Sequence, residues 1–110
     1  MTISPSPELF QLLAEARAAA GDAAGQQQFL ARRERLEGLA AYRRNDPEEA
    51  LPHFEEATRL DPADGVSWYH LGEMLFHLDR KNEAAEALKQ ALTVNPGDGR
   101  SRRLLAIIAE

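Results

Sequence analysis

Displaced by 34 residues, the sequence falls into register with itself. Gly38 lands on Gly72, Glu49 on Glu83, Ala50 on Ala84, Ala57 on Ala91, Pro62 on Pro96 and Asp64 on Asp98. Phe54 meets Leu88 and Leu60 meets Val94, apolar for apolar. Asn45 meets Asp79, both of a residue type that tolerates left-handed backbone. These matches spread over the whole period, which a chance alignment of two alanine-rich helices would not give. A period of this length marks a stacked array, in which each unit buries its apolar face only against its neighbours.

Composition decides what the unit is made of. Ala occurs 19 times and Leu 15 times, both strong helix formers, whereas Ile, Val and Thr together number eight. An all-α chain of 110 residues is long enough for one domain with its own core. The absence of Cys excludes disulfides, thiolate metal sites and a Cys nucleophile. With 13 Lys and Arg against 18 Asp and Glu, the net charge is −5, which argues against a general nucleic-acid binder. No apolar run approaches the roughly 20 residues of a membrane span. The opening MTISPSPELF has neither a basic start nor an apolar secretory core, so a cytoplasmic location is expected.

Helix punctuation then places the elements. Residues 1–6 are expected as a flexible tail. A helix is expected over 7–20, stopped by Gly21, with Leu9, Leu12, Leu13, Ala16 and Ala20 on one face. Further helices are expected at about 23–44, 47–60, 65–78, 81–93 and 99–109. Asp46-Pro47-Glu48-Glu49 is an N-cap followed by Pro and acids in the first turn, and Asp64 and Asp98 cap the helices after them. Asn82 or Lys81 opens the helix between. Pro62 and Pro96 end helices, and Asn45 and Asp79 sit where a left-handed residue is needed. Pro52 lies inside a helix, where it costs about 3 kcal/mol in propensity, so a local kink or an early irregular turn is expected there.

The residues resemble the tetratricopeptide repeat (TPR), whose signature runs W-x2-L-G-x2-Y, then A, F, A and P. Residues 65–98 supply Trp68, Leu71, Gly72 and Leu75, then Ala84, Leu88, Ala91 and Pro96. Residues 31–64 supply Gly38, Ala50, Phe54, Ala57 and Pro62, but place Glu34 in the Trp slot and Glu37 in the Leu slot. The resemblance implies an α-α superhelix of antiparallel helix pairs. It would consist of an N-terminal capping segment (7–30), two repeats (31–64 and 65–98) and a C-terminal half repeat (99–110).

Chemistry is sparse. No phosphate-binding loop, nucleophile elbow or H-E-x-x-H is present, so no enzyme and no cofactor are expected. His70, Glu73 and His77 share one helical face at spacings that could hold zinc, but no further ligand lies nearby in sequence. They are read as polar groove lining, with no metal. Glu48, Glu49, Glu55, Glu56, Glu83 and Glu86 are read as a solvated acidic face rather than acid–base pairs.

The resemblance also implies that the first helix of each repeat lines a concave groove. Carried over, the groove positions are Arg32, Arg35, Leu36, Leu39, Tyr42 and Arg43 from the first unit. The second contributes Val66, Tyr69, His70, Glu73, Phe76 and His77, and the last helix Arg100, Arg103, Leu104 and Ile107. Five Arg and two His against one Glu make this face basic, with three aromatics beside them, while the chain as a whole is acidic. Such a groove suits a protein or peptide partner that is acidic and partly apolar. Some members of the family hold a chaperone's C-terminal carboxylate in a Lys/Asn/Lys/Arg clamp. Arg35 sits at one clamp position, but Leu39 and His70 replace the Asn residues, so chaperone-tail binding is not expected. Arg35 is expected to be removable without loss of stability. The alternative is a scaffold that dimerises through its terminal helices. In the last helix Leu105 and Ala106 are expected to face inward, leaving Ile108 on the uncovered side.

Overall fold

The computed structural model describes residues 7–8, 11–12 and 23–110. The expected tail and most of the expected 7–20 helix lie outside the described residues, although Pro7, Glu8, Gln11 and Leu12 are helical. Five helices follow: α1 (Ala23–Arg43), α2 (Pro47–Leu60), α3 (Gly65–His77), α4 (Lys81–Val94) and α5 (Gly99–Ala109). Their limits fall within a residue of those expected from the sequence, and no strand occurs among the described residues. α1 packs on α2, α2 on α3, α3 on α4 and α4 on α5, with a smaller contact between α3 and α5.

The punctuation works as its chemistry requires. Asp46 accepts from the Glu49 N–H at 3.1 Å, and Pro47 takes the first helical position, where no N–H is needed. Asp64 accepts from the Ser67 N–H and hydroxyl at 3.2 and 2.7 Å. Asp98 accepts from the Arg100 N–H and the Ser101 hydroxyl at 3.2 and 2.7 Å. α4 begins at Lys81 without a side-chain cap, and Arg80 instead pairs with Glu83 at 2.6 Å. Asn45 and Asp79 adopt φ of 57° and 61°, and the next N–H of each turns back to Ala41 and Leu75, closing α1 and α3. α2 runs through Pro52 without a break in its helical assignment. Pro52 is exposed near its start, and the carbonyl it leaves without a helical donor is that of Glu48 in the solvated first turn.

Two glycines set the spacing within each helix pair. A Cβ on Gly38 would lie 2.8 Å from the Phe54 ring, and one on Gly72 would lie 2.7 Å from Leu88 Cγ. Ala50, Ala57, Ala84 and Ala91, all fully buried, allow the same approach from α2 and α4. The core continues through Ala41, Leu51, Leu71, Met74 and Leu75, with Trp68, Phe76 and Ile108 packed against it.

Two expectations are corrected. In α5 the inward stripe is Ser101, Leu105 and Ile108, while Ala106 is exposed. Ala106 occupies the slot that Gly72 fills in α3. Gly72 is buried because α4 crosses it, and no helix among the described residues crosses α5 there. Ile108 therefore packs on the core, and the exposed apolar residue of this helix is Ile107, at 53%. Secondly, Arg35 is held: its Nη1 is 3.0 Å from Asp64 Oδ1, so it is tied to the buried cap of α3.

The first repeat's departures from the signature compensate one another. Glu34 Oε2 lies 2.8 Å from His53 Nδ1, and Glu37 Oε2 lies 3.9 Å from His53 Nε2. A histidine between two carboxylates occupies the region that Trp68, Leu71 and Ala87 form one repeat later.

Candidate peptide-binding groove

The first helices of the units, α1, α3 and α5, form one continuous face bridged by side chains. The Tyr42 hydroxyl of α1 donates to Glu73 Oε2 of α3 at 3.4 Å. Arg100 of α5 lies over the Tyr69 ring of α3, its guanidinium carbon 4.4 Å from the centroid. The i, i+3 and i+4 steps along α3 bring Tyr69, His70, Glu73, Phe76 and His77 to this face or its edges.

His70 is the hub. Its ring stacks on Phe54 of the core at 5.3 Å and meets Tyr42 and Tyr69 at 5.4 and 5.2 Å. Its Nδ1 is 3.2 Å from Glu73 Oε1. Both Glu73 oxygens are thus engaged, one with His70 and one with Tyr42. The Glu73 charge, reinforced by burial and by the hydrogen bond, raises the Tyr42 phenol pKa above its ordinary value. Burial, then the Glu73 charge, raises that of Tyr69, with the Arg100 charge opposing. Phenols and carboxylate therefore form a fixed polar floor. The metal reading of His70, Glu73 and His77 gains no support, because no metal-ligating group of three occurs among the described residues.

Around that floor the cations divide. Arg35 is neutralised by Asp64. Arg32 is exposed, 5.8 Å above the Phe29 ring. Arg100 Nε lies 3.6 Å from Asp98 Oδ1. Arg43 and Arg103 are exposed and have no carboxylate partner among the described residues. Leu39 is half-buried against the core. The predicted basic face is therefore interrupted: Arg43 with His77 lies toward one end, Arg100 with Arg103 toward the other and Arg32 stands exposed on α1, while Glu73 lines the α3–α5 cleft itself.

Each end opens a cleft. One of about 490 Å³ is lined by Tyr42, Arg43, Asp46, Pro47, Met74 and His77. Another, of about 280 Å³, has Tyr69, Phe76, Leu104 and Ile107 as apolar walls, with Arg100, Arg103, His77 and Glu73 as its polar lining. Sequence reasoning did not anticipate Met74 or the 45–47 turn as lining. It also missed Asp64 as the partner of Arg35. Asp64 had a sufficient role as a cap, and a contact 29 residues away in sequence leaves no periodic signal.

Residues 35–99 match the family described as tetratricopeptide repeat. Together with the helix pairs and their glycine crossings, this places the chain in the TPR family, a class of helical protein-interaction repeats. Over 70 residues, 64% of the chain, it is 36% identical to the peroxisomal targeting signal receptor of Saccharomyces cerevisiae. It is 31% identical over 70 residues to the receptor of the same name from Candida glabrata. The matches cover only 11% and 12% of those two proteins. Among solved structures, the second TPR domain of human RPAP3, in complex with the HSP70 peptide SGPTIEEVD, superposes with a TM-score of 0.71. Sequence identity is 18%, over 96% of this chain and 99% of that one. Among the described residues no helix is long and apolar enough to cross a membrane.

Proposed function

We propose that the chain is a protein-interaction module that holds an acidic, partly apolar peptide along the face of α1, α3 and α5. The observation that carries this reading is the cleft between α3 and α5. There Tyr69, Phe76, Leu104 and Ile107 offer apolar contact beside the Arg100 and Arg103 cations, with His77 and the already bonded Glu73 completing the lining. Side chains such as Leu or Ile suit its walls, and a neighbouring Asp or Glu suits Arg103. Arg43 and His77 at the other end suit a second acidic residue. Glu73, already bonded to Tyr42 and His70, disfavours an acid at the centre. The preferred ligand is thus acidic at both ends and apolar or hydroxylic between them.

The peptide in the RPAP3 complex is acidic, and the yeast relatives are targeting-signal receptors, which favours a peptide ligand. Leu39 and His70, standing where clamp asparagines are expected, argue against a C-terminal carboxylate grip at that position. The test is selection from a displayed random-peptide library, repeated with an Arg43→Glu/Arg103→Glu variant. Wild type should enrich Asp and Glu flanking aliphatic residues, the variant should lose those sequences, and binding should weaken with salt. Enrichment of basic peptides, or selection indifferent to both changes, would remove the groove reading.

Self-association through α5 is the second reading, and the exposure of Ile107 favours it over an interface at Ile108. Ile107→Glu should then shift the mass measured by light scattering from two chains to one. A wild-type monomer at high micromolar concentration would end it.

A further inference from the structure

The outer side of the second repeat carries a cleft that the peptide groove does not use. It is about 340 Å³, lies between α2 and α4, and has Trp68, Leu71, Leu75 and Ala87 as its floor. Three exposed carboxylates, Glu55 from α2 and Glu83 and Glu86 from α4, form its rim. The Trp68 indole N–H donates to the Pro62 carbonyl at 2.8 Å, which fixes the ring as a wall.

The internal repeat explains why this space is open. Ala87 is the counterpart of His53. In the first repeat the His53 imidazole fills the equivalent position and lies against Glu34 and Glu37. In the second repeat the side chain shrinks to a methyl, the two carboxylates beneath become Trp68 and Leu71, and acidic groups remain only at the rim. A guest that fills the space needs an apolar stem against Trp68, Leu71 and Leu75 and a cationic tip among the carboxylates. Arg and Lys side chains have that form. The rim is available to such a tip. Glu55 makes no ion pair among the described residues. Glu83 and Glu86 pair only with Arg80 and Lys89 in solvent-exposed contacts that exchange at little cost.

We propose that this cleft docks a basic, partly apolar segment of a partner protein, with an Arg or Lys side chain seated over Ala87 between Trp68 and the three carboxylates. The chain would then engage two partners of opposite charge on opposite faces.

Trp68 is the single tryptophan of the chain and lines the cleft, so its emission reports occupancy there. The probe is a synthetic peptide of leucines and arginines, alongside its arginine-to-glutamate counterpart. The arginine peptide should change Trp68 emission saturably, and the glutamate peptide should not. Ala87→His installs the residue that the first repeat holds at this position. It should weaken the arginine peptide roughly tenfold or more while circular dichroism stays that of wild type. If that variant misfolds, Glu55→Gln/Glu83→Gln/Glu86→Gln, which alters only exposed side chains, should produce a loss of similar size. Arg43→Glu/Arg103→Glu on the opposite face should leave the titration unchanged. The proposal fails if Trp68 does not respond, if both cleft variants bind as wild type does, or if the groove variant alters the titration as much as they do.

Discussion

Gly72→Ala tests the packing on which every other assignment rests. In a helix interior, Ala is favoured over Gly by about 1 kcal/mol, so propensity alone predicts a more stable protein. The structure predicts the opposite. The added Cβ would stand 2.7 Å from Leu88 Cγ, 2.8 Å from Leu88 Cδ2 and 3.2 Å from the Ala84 carbonyl. Leu88 is fully buried and cannot swing away, and the Ala84 oxygen belongs to the α4 backbone, so relief requires the two helices to part. Overpacking of this kind costs about 1–3 kcal/mol, and the clash lies toward the upper end because backbone is involved. Subtracting the propensity gain leaves a net loss of about 1–2 kcal/mol, or some 5–10 °C in melting midpoint for a domain this size. Gly99→Ala is the control: a Cβ there meets nothing within 4 Å, and the midpoint should hold or rise. Thermal unfolding followed at 222 nm reads both. A Gly72→Ala protein melting at or above wild type would refute the tight α3–α4 crossing and the repeat register inferred from it.

Arg35→Ala should cost about 1–2 kcal/mol in urea unfolding, between a surface and a buried ion pair, because Asp64 is only 7% exposed and loses its cationic partner. Burial raises the Asp98 carboxyl pKa, but hydrogen bonds from Ser101 and Arg100, with the Arg100 charge, outweigh it and leave the pKa below the ordinary 3.8. A depressed folded pKa stabilises above the unfolded value, and the contribution is lost as pH falls through the folded one. The stability difference between wild type and Asp98→Asn should therefore be level above about pH 5 and fall away below 3.8. Glu73→Gln removes both the charge and the carboxylate acceptor facing Tyr42, so in a Tyr69→Phe background the phenol should titrate at lower pH by ultraviolet absorbance.

The fold was legible because it rests on contacts that repeat. A small residue at a helix crossing, an aspartate before a helix and a left-handed residue after one each leave a mark 34 positions apart. Gly38 and Gly72, Asp64 and Asp98, and Asn45 and Asp79 are such pairs. The candidate site was legible only in its membership. Arg32, Tyr42, Arg43, Tyr69, His70, Glu73, Phe76, His77, Arg100 and Arg103 share or flank one face, but their charge state as a group depends on contacts without a period. Arg35 is neutralised across 29 residues by Asp64, and Arg100 is drawn onto Tyr69 of another helix. At Ala106 the motif slot misled. A motif slot describes a residue in an average environment, whereas the outcome depends on whether a neighbouring helix lies across it.

The places where the two repeats differ are the most informative about function, since packing alone would have kept them alike. Glu34, Glu37 and His53 stand as a polar set where the next repeat has Trp68, Leu71 and Ala87. Exchanging one member alone would set a carboxylate against an apolar neighbour or take the nearer carboxylate away from the imidazole, either of which is costly. The three positions are therefore coupled, and a double-mutant cycle on Glu34→Leu and His53→Ala should show it. Each single change should destabilise more than the pair does together, with an interaction energy of about 1 kcal/mol or more. Simple additivity would mean that Glu34 and His53 act independently. The open space over Ala87 would then be an incidental gap rather than the counterpart of a filled one.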